Sequence, residues 1–132
     1  MKSLPAVPLE ADVRGTKLRL TLVAAGELVP LEEFIVRRRT TRARVSHDLL
    51  MGSAFVIEHD GADFVPAFLA DPTLDQRRVR RICRLLRPCT GWERWLFFST
   101  PKLSLQRRTP LQAMRDGSYR DVARIAAGCA ER

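Results

Sequence analysis

Five arginines lie within the eight positions from 37 to 44, and no acidic residue falls between Glu33 and Asp48. A guanidinium group binds phosphate oxygens or base edges through two parallel hydrogen bonds, which a lysine ammonium cannot do. Like charges at this density are tolerable when water or a polyanion neutralises them. The segment therefore indicates contact with nucleic-acid phosphates, although a solvated basic face would also explain it. The cluster consists of Arg37, Arg38, Arg39, Arg42 and Arg44.

A second group of six arginines lies between positions 77 and 87, where apolar residues recur at helical spacing. Val79, Ile82 and Leu86 would face the core, which leaves the arginines on the opposite face of the helix. Such a face could follow a phosphate backbone or bind an acidic protein partner, and a solvated surface accounts for it equally well. The group is Arg77, Arg78, Arg80, Arg81, Arg84 and Arg87.

The charge of the whole chain points in the same direction. It has 23 Lys+Arg against 15 Asp+Glu, for a net charge of +8, and all but three of the basic residues are arginine. A positive sum of this size favours an anionic partner. The high ratio of arginine to lysine could instead reflect a coding bias, but such a bias would not explain the net positive charge.

Catalytic chemistry has little support in the sequence. His47 and His59 are the two histidines, and the three cysteines are not at metal-ligand spacing, so no zinc site can be assembled. The chain contains no Gly-rich phosphate loop, no HExxH and no GxSxG motif. We therefore predict that the protein is not an enzyme and has no catalytic residue, no metal and no cofactor.

The sequence also predicts that the protein does not enter a membrane. No apolar run approaches the roughly 18 residues that a spanning helix needs. Residues 1–9 contain two prolines and lack the apolar core of a signal peptide. A cytoplasmic protein is the resulting expectation.

The elements that would position the first arginine cluster are two short helices joined by a tight basic turn. Pro30 suits the first turn of one helix. Thr40 or Thr41 would cap a second helix that runs to about Met51 and ends at Gly52. Two such helices form a helix-turn-helix, whose second helix enters the DNA groove. The predicted groove-facing residues are Arg42, Arg44, Ser46 and His47, with Thr41 as the cap and Arg37, Arg38 and Arg39 on phosphates.

A β-hairpin is predicted next, because Asp60-Gly61 is a strong signal for a tight turn between two strands. A two-residue loop would place Glu58 opposite Asp63, which is unfavourable because both are acidic. A three-residue loop would pair His59 with Asp63 instead. The sequence leaves this register open.

The rest of the chain reads as mainly helical. Residues 17–25 suit either a strand or a helix, and Gly26 favours the helix. Further helices are predicted at 74–87, at 110–116 and from Ser118 onward, with an aromatic-rich turn or helix between Trp92 and Phe98 that belongs to the core. The predicted fold is α+β and mainly helical. A flexible arm (1–15) precedes a head (16–70), in which a short helix-turn-helix is followed by a two-stranded β-hairpin, and a C-terminal helical subdomain (71–132) follows.

The run WERWLFFSTPKLSLQRRTPLQAMRDGSYRDVARIAAG resembles the toxin-binding C-terminal domain of the Xre/MbcA/ParS antitoxins. The matching elements are a tryptophan-led helix, a proline turn, a leucine, the tripeptide TPL, a short helix, a glycine and a last helix. In this chain they correspond to Trp95, Pro101, Leu105, Thr109-Pro110-Leu111, Met114, Gly117 and Val122. The stretch from Leu28 onward is also similar to small uncharacterised bacterial proteins of the same type.

This resemblance implies a DNA-binding antitoxin that neutralises a partner toxin and represses its own operon. The residues implied in partner binding are Thr109, Pro110, Leu111, Met114 and Tyr119. Combined with the arginine clusters, it predicts an antitoxin-like transcriptional regulator that acts by occupying double-stranded DNA and a cognate toxin. A homodimer would match two half-sites. The alternative is a non-enzymatic protein–protein adaptor whose arginines bind an acidic partner without nucleic acid.

Overall fold

Seven α-helices and a three-stranded antiparallel sheet make up residues 10–130, the part of the chain that the structure, a computed structural model, describes. The fold is α+β and mostly helical, as predicted. The helices are α1 (Glu10–Ala24), α2 (Leu31–Arg37), α3 (Arg42–Met51), α4 (Gln76–Leu85), α5 (Gly91–Ser99), α6 (Pro110–Arg115) and α7 (Tyr119–Ala130). The strands are β1 (Leu28–Pro30), β2 (Ile57–His59) and β3 (Ala62–Pro66), and short 3-10 turns occupy Ala67–Ala70 and Leu103–Leu105.

The N-terminal helix settles the ambiguous stretch at 17–25 in favour of a helix. α1 begins at Glu10, so residues 10–15 of the expected flexible arm are helical, and residues 1–9 lie outside the described part of the chain. Gly26 follows the helix with φ of 78°, a left-handed conformation that suits glycine. The guanidinium of Arg19 stacks on the ring of Trp92 at 5.2 Å, which ties α1 to α5.

The sheet has the strand order β1-β3-β2, and its first strand was not predicted. Leu28 and Val29 are almost fully buried, and Val29 pairs with Val65 of β3. Pro30 was predicted to lie in the first turn of a helix, whereas it is the last residue of β1 and the N-cap of α2. A three-residue strand is too short to show an alternating pattern, so only its pairing with β3 identifies it.

The hairpin register is that of a two-residue loop. Asp60 and Gly61 both have positive φ, at 55° and 79°, as a type I′ turn requires. Glu58 therefore lies opposite Asp63. Both carboxylates are exposed, so water and salt screen their repulsion and the turn geometry decides the register.

The two helices around the basic turn form where the sequence placed them. The hydroxyl of Thr41 accepts the backbone N–H of Arg44 at 3.1 Å and caps α3, which ends at the left-handed Gly52. α2 packs on β1 and β3. The two helices and both ends of α3 are thus confirmed, while a helix-turn-helix in the DNA-binding sense stays a proposal.

A single cluster of buried side chains joins the predicted head to the C-terminal helices. It extends from Leu22 to Ala126 and includes residues of both segments. Phe55 and Phe68 from the head pack on Phe98 of α5, with ring centroids 6.1 and 4.9 Å away. The aromatic residues of α5 therefore belong mainly to the core, as the sequence predicted.

Side chains cap the starts of two of the C-terminal helices. Thr90 with Glu93 and Thr109 with Gln112 form capping boxes at the starts of α5 and α6, and each box satisfies two backbone N–H groups. α4 packs directly against α7, and α6 contacts both α5 and α7. Among the described residues, no helix combines the length and apolar character that crossing a membrane requires.

The start of α5 touches the loop before β2 so closely that only glycine fits. A Cβ atom built on Gly91 would lie 1.9 Å from the carbonyl oxygen of Val56. Gly91→Ala should therefore lower the free energy of unfolding by roughly 1–3 kcal/mol, because the backbone must shift to relieve the overlap. Urea denaturation measures the change.

The matched control is Gly128→Ala in α7, where the added Cβ would meet nothing within 4 Å. Alanine is the better helix former, so this variant should be neutral or more stable by up to about 1 kcal/mol. Equal stability of Gly91→Ala and the wild type would contradict the close approach.

Candidate anion-binding site

A cleft of about 520 Å³ separates α3 from α4 and gathers arginines from both of the clusters found in the sequence. Arg38 comes from the turn after α2, and Arg44 and His47 come from α3. Arg80 and Arg84 belong to α4, and Arg87 follows that helix. Asp48, Met51 and Ser53 complete the lining. We call this the α3–α4 cleft.

The charge of the cleft is strongly unbalanced. Among the described residues that line it, Asp48 is the one carboxylate, and it lies 3.6 Å from the guanidinium of Arg38. Arg84 donates to the hydroxyl of Ser53 at 3.0 Å, and Arg87 donates to the carbonyl of Leu50 at 3.5 Å. Within the described residues, Arg44 and Arg80 form no ion pair.

This crowding is unfavourable for Arg38. Burial lowers the pKa of its guanidinium, and the nearby Arg80 and Arg44 lower it further, against a smaller opposing effect of Asp48. Arginine nevertheless stays charged at neutral pH. A cation whose pKa is lower in the folded than in the unfolded chain destabilises the fold at every pH below that pKa. An anion in the cleft would offset this cost.

Arg94 holds the two walls of the cleft at their C-terminal ends. Its side chain is 8% exposed and donates to three backbone carbonyls. The acceptors are Gly52 after α3 at 3.4 Å, Arg87 after α4 at 2.9 Å and Cys89 at 3.1 Å. Since these carbonyls belong to two different helix ends, one side chain sets how α3 lies relative to α4.

Gly52 contributes to the same junction by being small. A Cβ atom built there would lie 2.9 Å from Cγ of Arg87, and its φ of 82° is left-handed. Because glycine has no Cβ atom, the left-handed residue that ends α3 leaves room for the methylene groups of Arg87. The sequence predicted the helix stop at Gly52 but not this close contact.

Several arginines of the first cluster are paired with carboxylates of the chain itself, which the sequence did not predict. Arg37 binds Glu33 and Arg42 binds Glu32, both within the chain, while Arg38 faces Asp48. The carboxylates of Glu32 and Glu33 both belong to α2, which brings them close enough to neutralise Arg42 and Arg37. Both pairs are largely exposed, so they contribute little to stability and can exchange with phosphate.

The structure separates the other predicted DNA-contacting residues. Arg44 and His47 line the cleft, whereas Ser46 is exposed and does not line it. Arg39 is exposed in the turn, with φ of 55°. Thr41 caps α3 as expected. The predicted set is thus only partly brought together.

The sequence offered the α4 arginines as a face that could follow a phosphate backbone, but it did not place them beside α3. Arg80, Arg84 and Arg87 are spaced four and three residues apart, which places them on one stripe of a helix. That spacing predicts that the three arginines share one face of the helix, but it does not predict that this face lies beside α3. Their position follows from the long-range contacts of Arg94.

Three of the five predicted partner-binding residues are buried in the chain's own core. Met114 is 1% exposed, Pro110 is buried, and Tyr119 is 9% exposed, with its hydroxyl accepting the backbone N–H of Asp75 at 2.8 Å. Thr109 caps α6, and Leu111 is partly buried. The TPL element therefore acts first as a helix start, and a partner would have to use neighbouring exposed residues.

Burial makes two of the thiols poor nucleophiles. Cys83 is fully buried, and burial raises its pKa to about 12. Burial also raises the pKa of Cys89. Within the described residues, no group of three or more His, Cys, Asp or Glu side chains could hold a metal ion.

A scan against protein-family models found no match, and searches of curated proteins and of solved structures found no significant match. The resemblance to the Xre/MbcA/ParS antitoxins therefore stays a prediction from the sequence.

Removing the Arg94 guanidinium should weaken the junction of α3 and α4. Arg94→Met keeps the apolar stem but leaves three carbonyls without their donor. We expect a loss of about 3 kcal/mol in urea unfolding, since each buried group left without a partner costs roughly 1–3 kcal/mol. Arg124→Met removes an exposed arginine and should change stability by less than about 1 kcal/mol. Equal effects of the two substitutions would show that the three hydrogen bonds are not needed.

A compact polyanion should stabilise the protein through the α3–α4 cleft. We expect inorganic pyrophosphate to raise Tm above the value in sodium chloride of equal ionic strength. At a hundredfold excess over Kd, binding adds about 2.7 kcal/mol. Arg44→Gln with Arg80→Gln should abolish this difference without lowering the Tm of the free protein, because the change also removes repulsion. Equal Tm values in the two salts would contradict an anion site.

Proposed function

We propose that this protein is a DNA-binding transcriptional regulator that holds phosphates of double-stranded DNA in the α3–α4 cleft. The observation that carries the proposal is the convergence of five arginines from three segments around a single carboxylate. Arginine is the residue best suited to bind phosphate through paired hydrogen bonds. The mechanism is occupancy, in which the bound protein blocks access to the DNA.

The form of the site favours an extended anion over a small metabolite. The cleft is lined mainly by long polar side chains, and it offers few apolar groups to enclose a ligand. Small-molecule pockets are mostly apolar, with a few placed polar groups. A chain of phosphates that passes through the cleft needs charge rather than enclosure.

The net charge of +8 supports the same proposal, because a positive protein attracts DNA over a distance and binds it without regard to sequence. Arg37 and Arg42 can add to this binding by exchanging Glu33 and Glu32 for phosphate. The resemblance of the C-terminal run to antitoxin domains supports a protein partner as the second half of the proposal. A homodimer would place two such clefts on two half-sites.

Salt-dependent DNA binding tests the proposal directly. Fluorescence anisotropy with duplex DNA should give a Kd in the micromolar range that weakens steeply between about 50 mM and about 200 mM salt. Arg44→Gln with Arg80→Gln should reduce the slope of log K against log salt by about 1.8, the value for two lost phosphate contacts. The reason is that each contact releases counterions from the DNA.

The control variant is Arg115→Gln with Arg124→Gln. It removes the same two charges from exposed ion pairs with Asp71 and Asp121, away from the cleft. It should bind DNA nearly as the wild type does. If the wild-type protein shows no binding even at low salt, the DNA proposal fails and the adaptor with an acidic protein partner becomes the better account.

A further inference from the structure

The arginines of α4 are divided between two flanks of the helix. Arg80, Arg84 and Arg87 face α3, as described above. Arg78 and Arg81, three residues apart, line a different cleft on the side of α7. The buried stripe of Val79, Ile82, Cys83 and Leu86 lies on the opposite side from Arg77, which is exposed between the two flanks.

The second cleft has a volume of about 450 Å³ and lies where α4 packs against the start of α7. We call it the α4–α7 cleft. It contains the side chains of Arg78, Arg81 and Arg120, with Tyr119 and Gly117 beside them. Of the residues that the structure describes, no carboxylate lines this cleft.

One arginine of this cleft is held in place and two are available. The guanidinium of Arg78 stacks over the ring of Tyr119 at 5.4 Å and lies 3.4 Å from the carboxylate of Asp75. Asp75 also caps α4 through the backbone N–H of Arg78. Arg81 and Arg120 form no ion pair in the part of the chain that the structure describes.

α4 is therefore a ridge with a basic cleft on each side. An α-helix with its side chains is about 10–12 Å across, and the major groove of B-DNA is about 12 Å wide. The ten residues of α4 give a ridge of about 15 Å. A helix of these dimensions that lies in the major groove has one phosphate backbone along each flank.

We infer that the α4–α7 cleft is a second phosphate-binding site and that α4, rather than α3, occupies the major groove. One DNA strand would run along the α3–α4 cleft and the other along the α4–α7 cleft. Arg77, on the crest, would face base edges. This inference rests on the proposed DNA-binding function and adds the element that enters the groove.

The test compares three double variants that lose equal charge. They are Arg81→Gln with Arg120→Gln, Arg44→Gln with Arg80→Gln, and the control Arg115→Gln with Arg124→Gln. Each is first checked for a wild-type circular dichroism spectrum and Tm. Each is then titrated into a duplex of about 20 base pairs, roughly two helical turns.

The inference predicts that both cleft variants bind the duplex roughly tenfold or more weakly than the wild type, since one hydrogen bond to a charged group can contribute about that factor. Each cleft variant should also lower the salt slope by about 1.8. The control should match the wild type. Netropsin, which fills the minor groove, should not displace the protein.

Other outcomes overturn the inference in distinguishable ways. If Arg81→Gln with Arg120→Gln binds as the wild type does while Arg44→Gln with Arg80→Gln is weakened, the second site is absent and the proposed function stands. Displacement by netropsin would reject the major groove. If all three variants weaken equally, binding follows net charge and neither cleft is a site. A wild-type protein that does not bind duplex DNA would overturn the proposed function itself.

Discussion

The buried guanidinium of Arg94 is the interaction on which the basic surface depends. Its three acceptors are carbonyls near the ends of α3 and α4, where the helix dipoles concentrate negative partial charge. Burial lowers the pKa of Arg94 because the charge loses water, and among the described residues no carboxylate is one of its hydrogen-bond partners. Backbone dipoles and the ring of Phe55, 5.7 Å away, take the place of a counterion. The positions of Arg84 and Arg87 follow from this junction.

The arrangement of acids decides which arginines are available. Glu32 and Glu33 neutralise Arg42 and Arg37, so the part of the basic turn that looked most exposed in the sequence is already paired. Asp48 is the one carboxylate among the described residues that line the two clefts beside α4. Four arginines of the described residues thus carry uncompensated charge where the surface is concave, namely Arg44, Arg80, Arg81 and Arg120. Such an arrangement costs stability in the free protein and is typical of binding sites.

Local signals in the sequence were sufficient for most of the elements. Thr41, Gly52, Asp60-Gly61 and Thr109-Pro110 each determine a cap, a stop or a turn through backbone geometry close to them in the chain, and each lies where it was predicted. β1 was missed because its three residues are ordered by pairing with a strand that follows much later. The cleft was missed for the same reason, because Arg94 acts 42 positions from Gly52. Contacts at that separation leave no periodicity in the sequence.

The shared core between the head and the C-terminal helices constrains how this protein can evolve. Because Phe55 and Phe68 pack on Phe98, the two halves share part of one apolar interior. Unfolding of one half would expose aromatic side chains of the other, so a ligand that stabilises either half helps to protect both from proteolysis and from degradation in the cell. A substitution on either surface that changes stability therefore changes the amount of the whole protein in the cell. Exchange of one half by recombination would also require matching aromatic residues in the other half.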